Sequence, residues 1–141
     1  FSIFSWGDIL EVAAILRDNE ADDDFFTMYL ATADDTRYAL TIDSTYSFLN
    51  FFNVIDPNNP NITDPLKTKA LLEMEGKYYD DNAAVGSGRI GSADDLKLFL
   101  KMLKEMGGGV SLFQVDPTYT TFTKLTLNSN ETAVVPKAPC N

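Results

Sequence analysis

The feature of this sequence that most constrains its fold is a pair of strand-like segments that occurs twice. Each pair is joined by a short polar turn, at residues 34–36 (Asp-Asp-Thr) and 116–118 (Asp-Pro-Thr). Such turns between segments rich in β-branched and aromatic residues are typical of β-hairpins. The predicted strands span residues 25–33, 37–42, 110–115 and 119–127. A sheet assembled from hairpins is antiparallel.

Helical patterns separate the two predicted hairpins and precede the first. Ser5 and Asp8 have capping-box spacing at the start of the first helix, and Asp43 or Ser44 can cap the second. The predicted helices span residues 6–17, 45–55 and 65–75 and the stretch between Ser92 and Gly107. Residues 65–75 also alternate in a strand-like way, so strand remains the alternative there, although Asp64-Pro65 favours a helix start.

This order of elements predicts one α+β domain over residues 1–127. Its two layers are an antiparallel sheet built from hairpins and a set of helices packed on one face of that sheet. Residues 128–141 are expected to form a polar C-terminal tail. The apolar stripe of the last helix should be buried together against the sheet. That stripe consists of Leu96, Phe99, Leu100 and Leu103.

The net charge of −10 limits the partners that this chain can have. Ten acidic and two basic side chains lie in residues 1–50, so the acidity is concentrated in the first third. Such a field repels nucleic acid and anionic lipid, and it attracts basic partners or cations. No apolar run approaches the roughly 20 residues that span a bilayer. We therefore expect a protein partner or self-association, with no nucleic acid and no membrane insertion.

The sequence contains no histidine, and Cys140 is its only cysteine. Without histidine the commonest general base and nearly all zinc sites are missing. Cys140 lies one residue from the end of the sequence, in a context that predicts a terminal tail rather than an active site. No catalytic residue, no metal site and no cofactor is therefore predicted.

Residues 86–91 (Gly-Ser-Gly-Arg-Ile-Gly) match the spacing of a dinucleotide-binding loop. That fingerprint requires a buried strand directly before it, and residues 79–82 (Tyr-Asp-Asp-Asn) do not form one. We interpret the segment as a loop before the last helix. Its only candidate role is as an anion site at Gly88, Arg89 and Ser92.

The acidic stretch after the first helix superficially resembles a calcium-binding loop. Asp23 stands where that loop needs Gly, and Tyr29 stands where it needs a bidentate Glu, so an EF-hand is rejected. Clustered carboxylates can still hold a cation weakly. The candidate weak cation site is formed by Asp18, Glu20, Asp22 and Asp24.

The second predicted helix, 45–55, is apolar on nearly all sides. Phe51 and Val54 lie away from the face that the core would cover, and monomeric proteins usually avoid exposing such a patch. Either the loop 56–65 covers these two side chains or another subunit does. We expect Phe51 and Val54 to be interface residues.

Two further features bear on where the protein acts. The sequence begins at Phe1 rather than Met, and glycosylation sequons occur at Asn61 and Asn130. Together these features favour an exported or extracellular protein.

Three functions follow as hypotheses. The first is a non-catalytic binding or assembly module, exported, exposed at a surface or part of a larger particle. The second is an acidic inhibitor or immunity-type protein directed against a basic partner. The third is a small carboxylate-dependent hydrolase, for which Glu73 and Glu75 are the least crowded pair but point apart if 65–75 is a helix.

Overall fold

A computed structural model describes four stretches of the chain, residues 3–17, 26–52, 65–79 and 93–137. Within them lie four helices and five strands. In chain order the elements are α1 (Trp6–Arg17), β1 (Thr27–Ala31), β2 (Arg37–Ile42), α2 (Thr45–Phe51), α3 (Pro65–Tyr79), α4 (Ala93–Glu105), β3 (Val110–Val115), β4 (Phe122–Leu127) and β5 (Val134–Pro136).

The strands form one antiparallel sheet in the order β1-β2-β3-β4-β5. The two predicted hairpins are β1–β2 and β3–β4, and they join through a β2–β3 pairing in which Leu40 lies opposite Leu112. The helices pack on this sheet. The predicted α+β class, with an antiparallel sheet built from hairpins, is therefore confirmed.

The end of the chain departs from the prediction. Residues 134–136 belong to the predicted polar tail, but they form β5 at the edge of the sheet and pair with β4. The reversal begins at Asn128, whose Oδ1 accepts the backbone N–H groups of Thr132 (2.8 Å) and Ala133 (3.1 Å). A side chain that imitates a backbone acceptor stabilises a tight turn, and here it directs the chain back along β4.

The first helix begins at the predicted capping box. The Ser5 backbone N–H donates to Asp8 Oδ2 (2.7 Å), and the Asp8 N–H donates to Ser5 Oγ (3.2 Å). Two backbone donors that lack a partner inside the helix are thereby satisfied. Ile9 and Val12 are fully buried on the inner face of α1.

The second helix is shorter than predicted. It runs from Thr45 to Phe51, with Ser44 as its N-cap, and the Phe52 N–H closes it by donating to the Leu49 carbonyl (2.9 Å). Residues 53–55, which were predicted to continue the helix, lie outside the described residues.

The ambiguous segment at 65–75 is a helix, α3, and it continues to Tyr79. Gly76, which could have ended it, lies within it instead. The end of α3 is joined to the end of α4 at Glu105, whose Oε2 accepts hydrogen bonds from Tyr78 Oη (2.5 Å) and Lys77 Nζ (2.8 Å). This contact joins the last turn of α3, which lies beyond the predicted segment 65–75, to α4.

The core lies between the helices and one face of the sheet. Phe99 of α4 is fully buried and its ring lies 6.1 Å from that of Phe4. Leu100 and Leu103 are buried with it, while Leu96 is only half-buried. The sheet contributes Met28, Leu40, Leu112 and Leu125 to the same core. The predicted inner face of α4 is thus confirmed at three of its four positions.

Candidate binding surface

A cluster of exposed aromatic rings lies on the face of the sheet opposite the core, which we call the open face. Tyr29 of β1, Phe122 of β4 and Tyr119 of the β3–β4 turn are 52%, 42% and 47% exposed. Phe113 of β3 is half-buried beside Phe122. These four residues, Tyr29, Phe113, Tyr119 and Phe122, are the aromatic patch.

Strand alternation places these rings outside the core. Since neighbouring residues along a strand point to opposite faces, the burial of Leu40 and Leu112 turns Ala39 and Phe113 to the open face. Tyr29 pairs with Ala39, which in turn pairs with Phe113. The small Ala39 therefore lies between two aromatic residues in one row across three strands.

The rings of the patch hold one another in place. Tyr29 lies edge-on to Tyr119 (centroids 5.6 Å apart, 78° between planes) and to Phe122 (6.4 Å, 61°). Phe122 makes a similar contact with Phe113 (6.3 Å, 78°). Edge-to-face packing is a favoured aromatic geometry. The patch is thus a contiguous apolar surface whose members restrict one another's movement.

The turn between β3 and β4 is organised by Asp116, and it presents Tyr119. Asp116 Oδ1 accepts the backbone N–H groups of Thr120 (2.7 Å) and Thr121 (2.6 Å). Its Oδ2 accepts the hydroxyls of Thr118 (2.6 Å) and Thr120 (2.8 Å). The Thr118 hydroxyl and these other donors hold the pKa of the Asp116 carboxyl well below its usual range. Tyr119, with φ of 57°, is fixed by this network at the rim of the patch.

Arg37 of β2 lies under the ring of Tyr119. Its guanidinium carbon is 5.3 Å from the ring centroid, a cation–π distance, and its Nη2 donates to Asp35 Oδ1 (3.0 Å). Its Nη1 is buried and has no hydrogen-bond acceptor among the described residues. A buried donor without an acceptor is unusual in a folded protein.

Two lysines lie beside the patch on the open face. Lys124 of β4 pairs with Phe113, and Lys137 follows β5 directly opposite Lys124, to whose carbonyl its backbone N–H donates (2.8 Å). We call Lys124 and Lys137 the lysine pair. Among the described residues neither has a carboxylate within 4 Å of its Nζ. The open face therefore combines exposed rings with cations.

A groove of about 900 Å³ lies between the first turns of α4 and the strands β3 to β5, and it extends to Arg37 of β2 and Asp116 of the β3–β4 turn. Its floor is apolar, with Leu96, Leu125 and Val134, and hydroxyl groups such as those of Thr121 and Thr123 line its rim. The volume suits a small ligand. Its described lining residues include no serine, cysteine or histidine.

Most of the residues predicted to form sites lie outside the described residues. This holds for the weak cation site, for the anion site and for one interface residue. They are Asp18, Glu20, Asp22, Asp24, Gly88, Arg89, Ser92 and Val54. Within the described ranges, no three side chains of the metal-binding types come together to hold an ion.

Phe51, the other predicted interface residue, is the last residue of α2. It is half-buried, packs against the core and lies edge-on to Phe52 (5.1 Å, 83°). Part of its surface is therefore covered by its own chain. On the same helix Tyr46 is 82% exposed and stands apart from the aromatic patch.

The aromatic patch was not predicted from the sequence. The sequence does contain a signal for the patch. In β1, β3 and β4, aromatic residues occupy positions that alternate with core residues, namely Tyr29, Phe113 and Phe122. Which set of positions faces the helices depends on the register between strands, and one hairpin by itself does not determine it.

No family model, curated protein or solved structure matches the chain. Across the part of the chain that the structure describes, no helix has both the length and the apolar character needed to cross a bilayer.

Proposed function

We propose that this protein is a non-catalytic binding module that engages a protein partner through the open face of its sheet. The observation that carries the proposal is the aromatic patch, in which the exposed rings of Tyr119 and Phe122 both pack against the exposed ring of Tyr29, at 42–52% exposure. Monomeric proteins rarely expose large contiguous apolar patches, and clustered exposed rings of this kind commonly mark interaction sites.

The residue types of the patch support a protein partner. Tyrosine and arginine are enriched among the residues that dominate binding energy, and here Tyr29 and Tyr119 stand beside Arg37. Their rings are positioned on paired strands and on a turn braced by Asp116, so little freedom would be lost on binding. The absence of histidine from the sequence also supports binding rather than catalysis.

The other two hypotheses gain no comparable support among the described residues. Glu73 and Glu75, the carboxylates considered for a hydrolase, are both exposed on α3. The acidic stretch that would meet a basic partner lies at residues 18–24, outside the described ranges.

The experiment compares a patch variant with a matched control. The patch variant is Tyr29→Ser with Phe122→Ser, and the control is Tyr46→Ser, which removes an exposed ring elsewhere. Immobilised wild type and the control should retain the same partner from the native source, and the patch variant should lose at least nine-tenths of it. Circular dichroism establishes that all three are folded. Equal retention by the patch variant, or no partner for the wild type, would refute the proposal.

A further inference from the structure

Two lysines without a carboxylate partner among the described residues border the aromatic patch, although the protein as a whole is acidic. The chain carries a net charge of −10, yet Arg37, Lys124 and Lys137 lie in or beside the patch. Phe122 lies two residues along β4 from Lys124, a separation of about 7 Å on the same face of the sheet. The apolar surface of the patch is thus bordered by the cation of Lys124 on β4, unpaired within the described part of the chain, whereas the charge of Arg37 on β2 is already met by Asp35.

The lysine pair is an arrangement that folding alone disfavours. Like charges placed directly opposite each other on a sheet destabilise it. Lys124 and Lys137 occupy such positions, and no carboxylate of the described chain neutralises either one. An anion supplied by a partner would remove this repulsion.

We propose that the partner presents an acidic segment whose carboxylates contact the lysine pair while an apolar side chain packs on Tyr29 and Phe122. This inference rests on the proposed function and names the chemistry of its partner. A basic segment would add to the repulsion between Lys124 and Lys137, and an acidic one would be oriented towards them by charge complementarity.

The ring geometry favours a protein segment over single-stranded nucleic acid. Base stacking needs open ring faces, but Tyr29, Phe113 and Phe122 pack edge-to-face with one another, and the face of Tyr119 is covered by Arg37. A polyanion would also meet the repulsion of the whole chain, whereas a segment with two or three carboxylates would meet much less.

The test selects peptides from a library of random displayed dodecapeptides on the wild-type protein, with counter-selection on the Tyr29→Ser, Phe122→Ser variant. The expected peptides carry a net negative charge and at least one aromatic or large aliphatic residue. Enriched peptides that are neutral or basic but patch-dependent would overturn this inference and leave the proposed function standing. No patch-dependent enrichment would overturn both.

The affinity of the selected peptide for a variant then measures how much the lysine pair contributes to binding. Lys124→Gln with Lys137→Gln should weaken binding about tenfold, because two exposed ion pairs of ordinary strength together amount to about one decade of affinity. Lys101→Gln, a change on α4, is the matched control and should leave the affinity unchanged. An equal affinity for wild type and the double variant would overturn the assignment.

Two further measurements address other occupants of the open face. A fluorescent oligothymidylate of twenty nucleotides should not bind at micromolar concentration, and patch-dependent binding would overturn the proposal in favour of nucleic acid. Sedimentation of the wild type should show a monomer at tens of micromolar. A dimer that the patch variant dissociates would assign the face to a second copy instead.

Discussion

The sharpest structural prediction concerns Gly109, which follows α4 and leads into β3. Its φ is +83°, a conformation that side chains with a Cβ rarely adopt. A Cβ at this position would lie 2.7 Å from the carbonyl oxygen of Ser44 and 3.0 Å from the Cβ of Ser47. The Gly109 carbonyl also accepts the N–H groups of Asp43 (2.7 Å) and Ser44 (3.1 Å). The start of α2 therefore rests directly on the backbone of Gly109.

Replacing Gly109 by alanine should destabilise the fold in two ways. The left-handed conformation costs about 1–2 kcal/mol for a residue with a side chain. Displacing the backbone of Ser44 adds roughly 1–3 kcal/mol, the range for forcing extra atoms into a packed site. The sum is about 2–5 kcal/mol of the free energy of unfolding.

Gly107→Ala is the matched control. Gly107 also has a positive φ, +96°, but no heavy atom lies within 4 Å of its ideal Cβ. It should therefore lose only the conformational part, about 1–2 kcal/mol. Urea unfolding followed by circular dichroism gives both values, since a midpoint that shifts at constant slope reports stability. If Gly109→Ala were no more destabilising than Gly107→Ala, the close approach of α2 to Gly109 would be wrong.

Two other predictions concern the core and the contact between α3 and α4. Phe99→Ala should lower the free energy of unfolding by about 3–5 kcal/mol, because removing the fully buried ring leaves a cavity. The control Leu72→Ala, at an exposed position, should change it by about 0.5 kcal/mol or less. Similar losses for both variants in urea unfolding would contradict this description of the core. The hydrogen bond from Lys77 lowers the pKa of Glu105 below its ordinary value of 4.5, so its pairing stabilises the fold above that pH and is lost as pH falls through the lowered pKa. Glu105→Gln should therefore cost about 0.5–1 kcal/mol at pH 7, as for a largely exposed pair, and less as the pH falls below 4.5. A difference in stability that did not depend on pH would exclude this role.

Much of the local structure was predictable because its signals are local. The capping box of Ser5 and Asp8 predicted the start of α1, and Ser44, one of two candidates, proved to be the N-cap of α2. Segment 65–75 was ambiguous, since its apolar residues fit both periods. Its helical state is accompanied by a contact to Glu105, 27 residues after Tyr78, that no local pattern contains.

The candidate surface was less predictable, because its residues are far apart in the sequence and no local signal connects them. The residues favoured from the sequence were a charged loop, a glycine-rich loop and an apolar helix, all of which stand out as contiguous stretches. The aromatic patch draws Tyr29 from one hairpin and Phe113, Tyr119 and Phe122 from the other, about ninety residues apart in the chain. Only the pairing of β2 with β3 brings the two hairpins together.

The sequence by itself determined the kind of elements and the class of fold. Periodicity, caps and turn residues act over a few positions, so they define helices, hairpins and an antiparallel sheet without reference to the rest of the chain. The tertiary structure alone decided that Val134–Pro136 joins the sheet and that Tyr29 and Phe122 lie exposed on the face opposite the core. Those outcomes depend on which strands pair and in what register, and a shift of one residue would exchange the buried set of side chains for the exposed set.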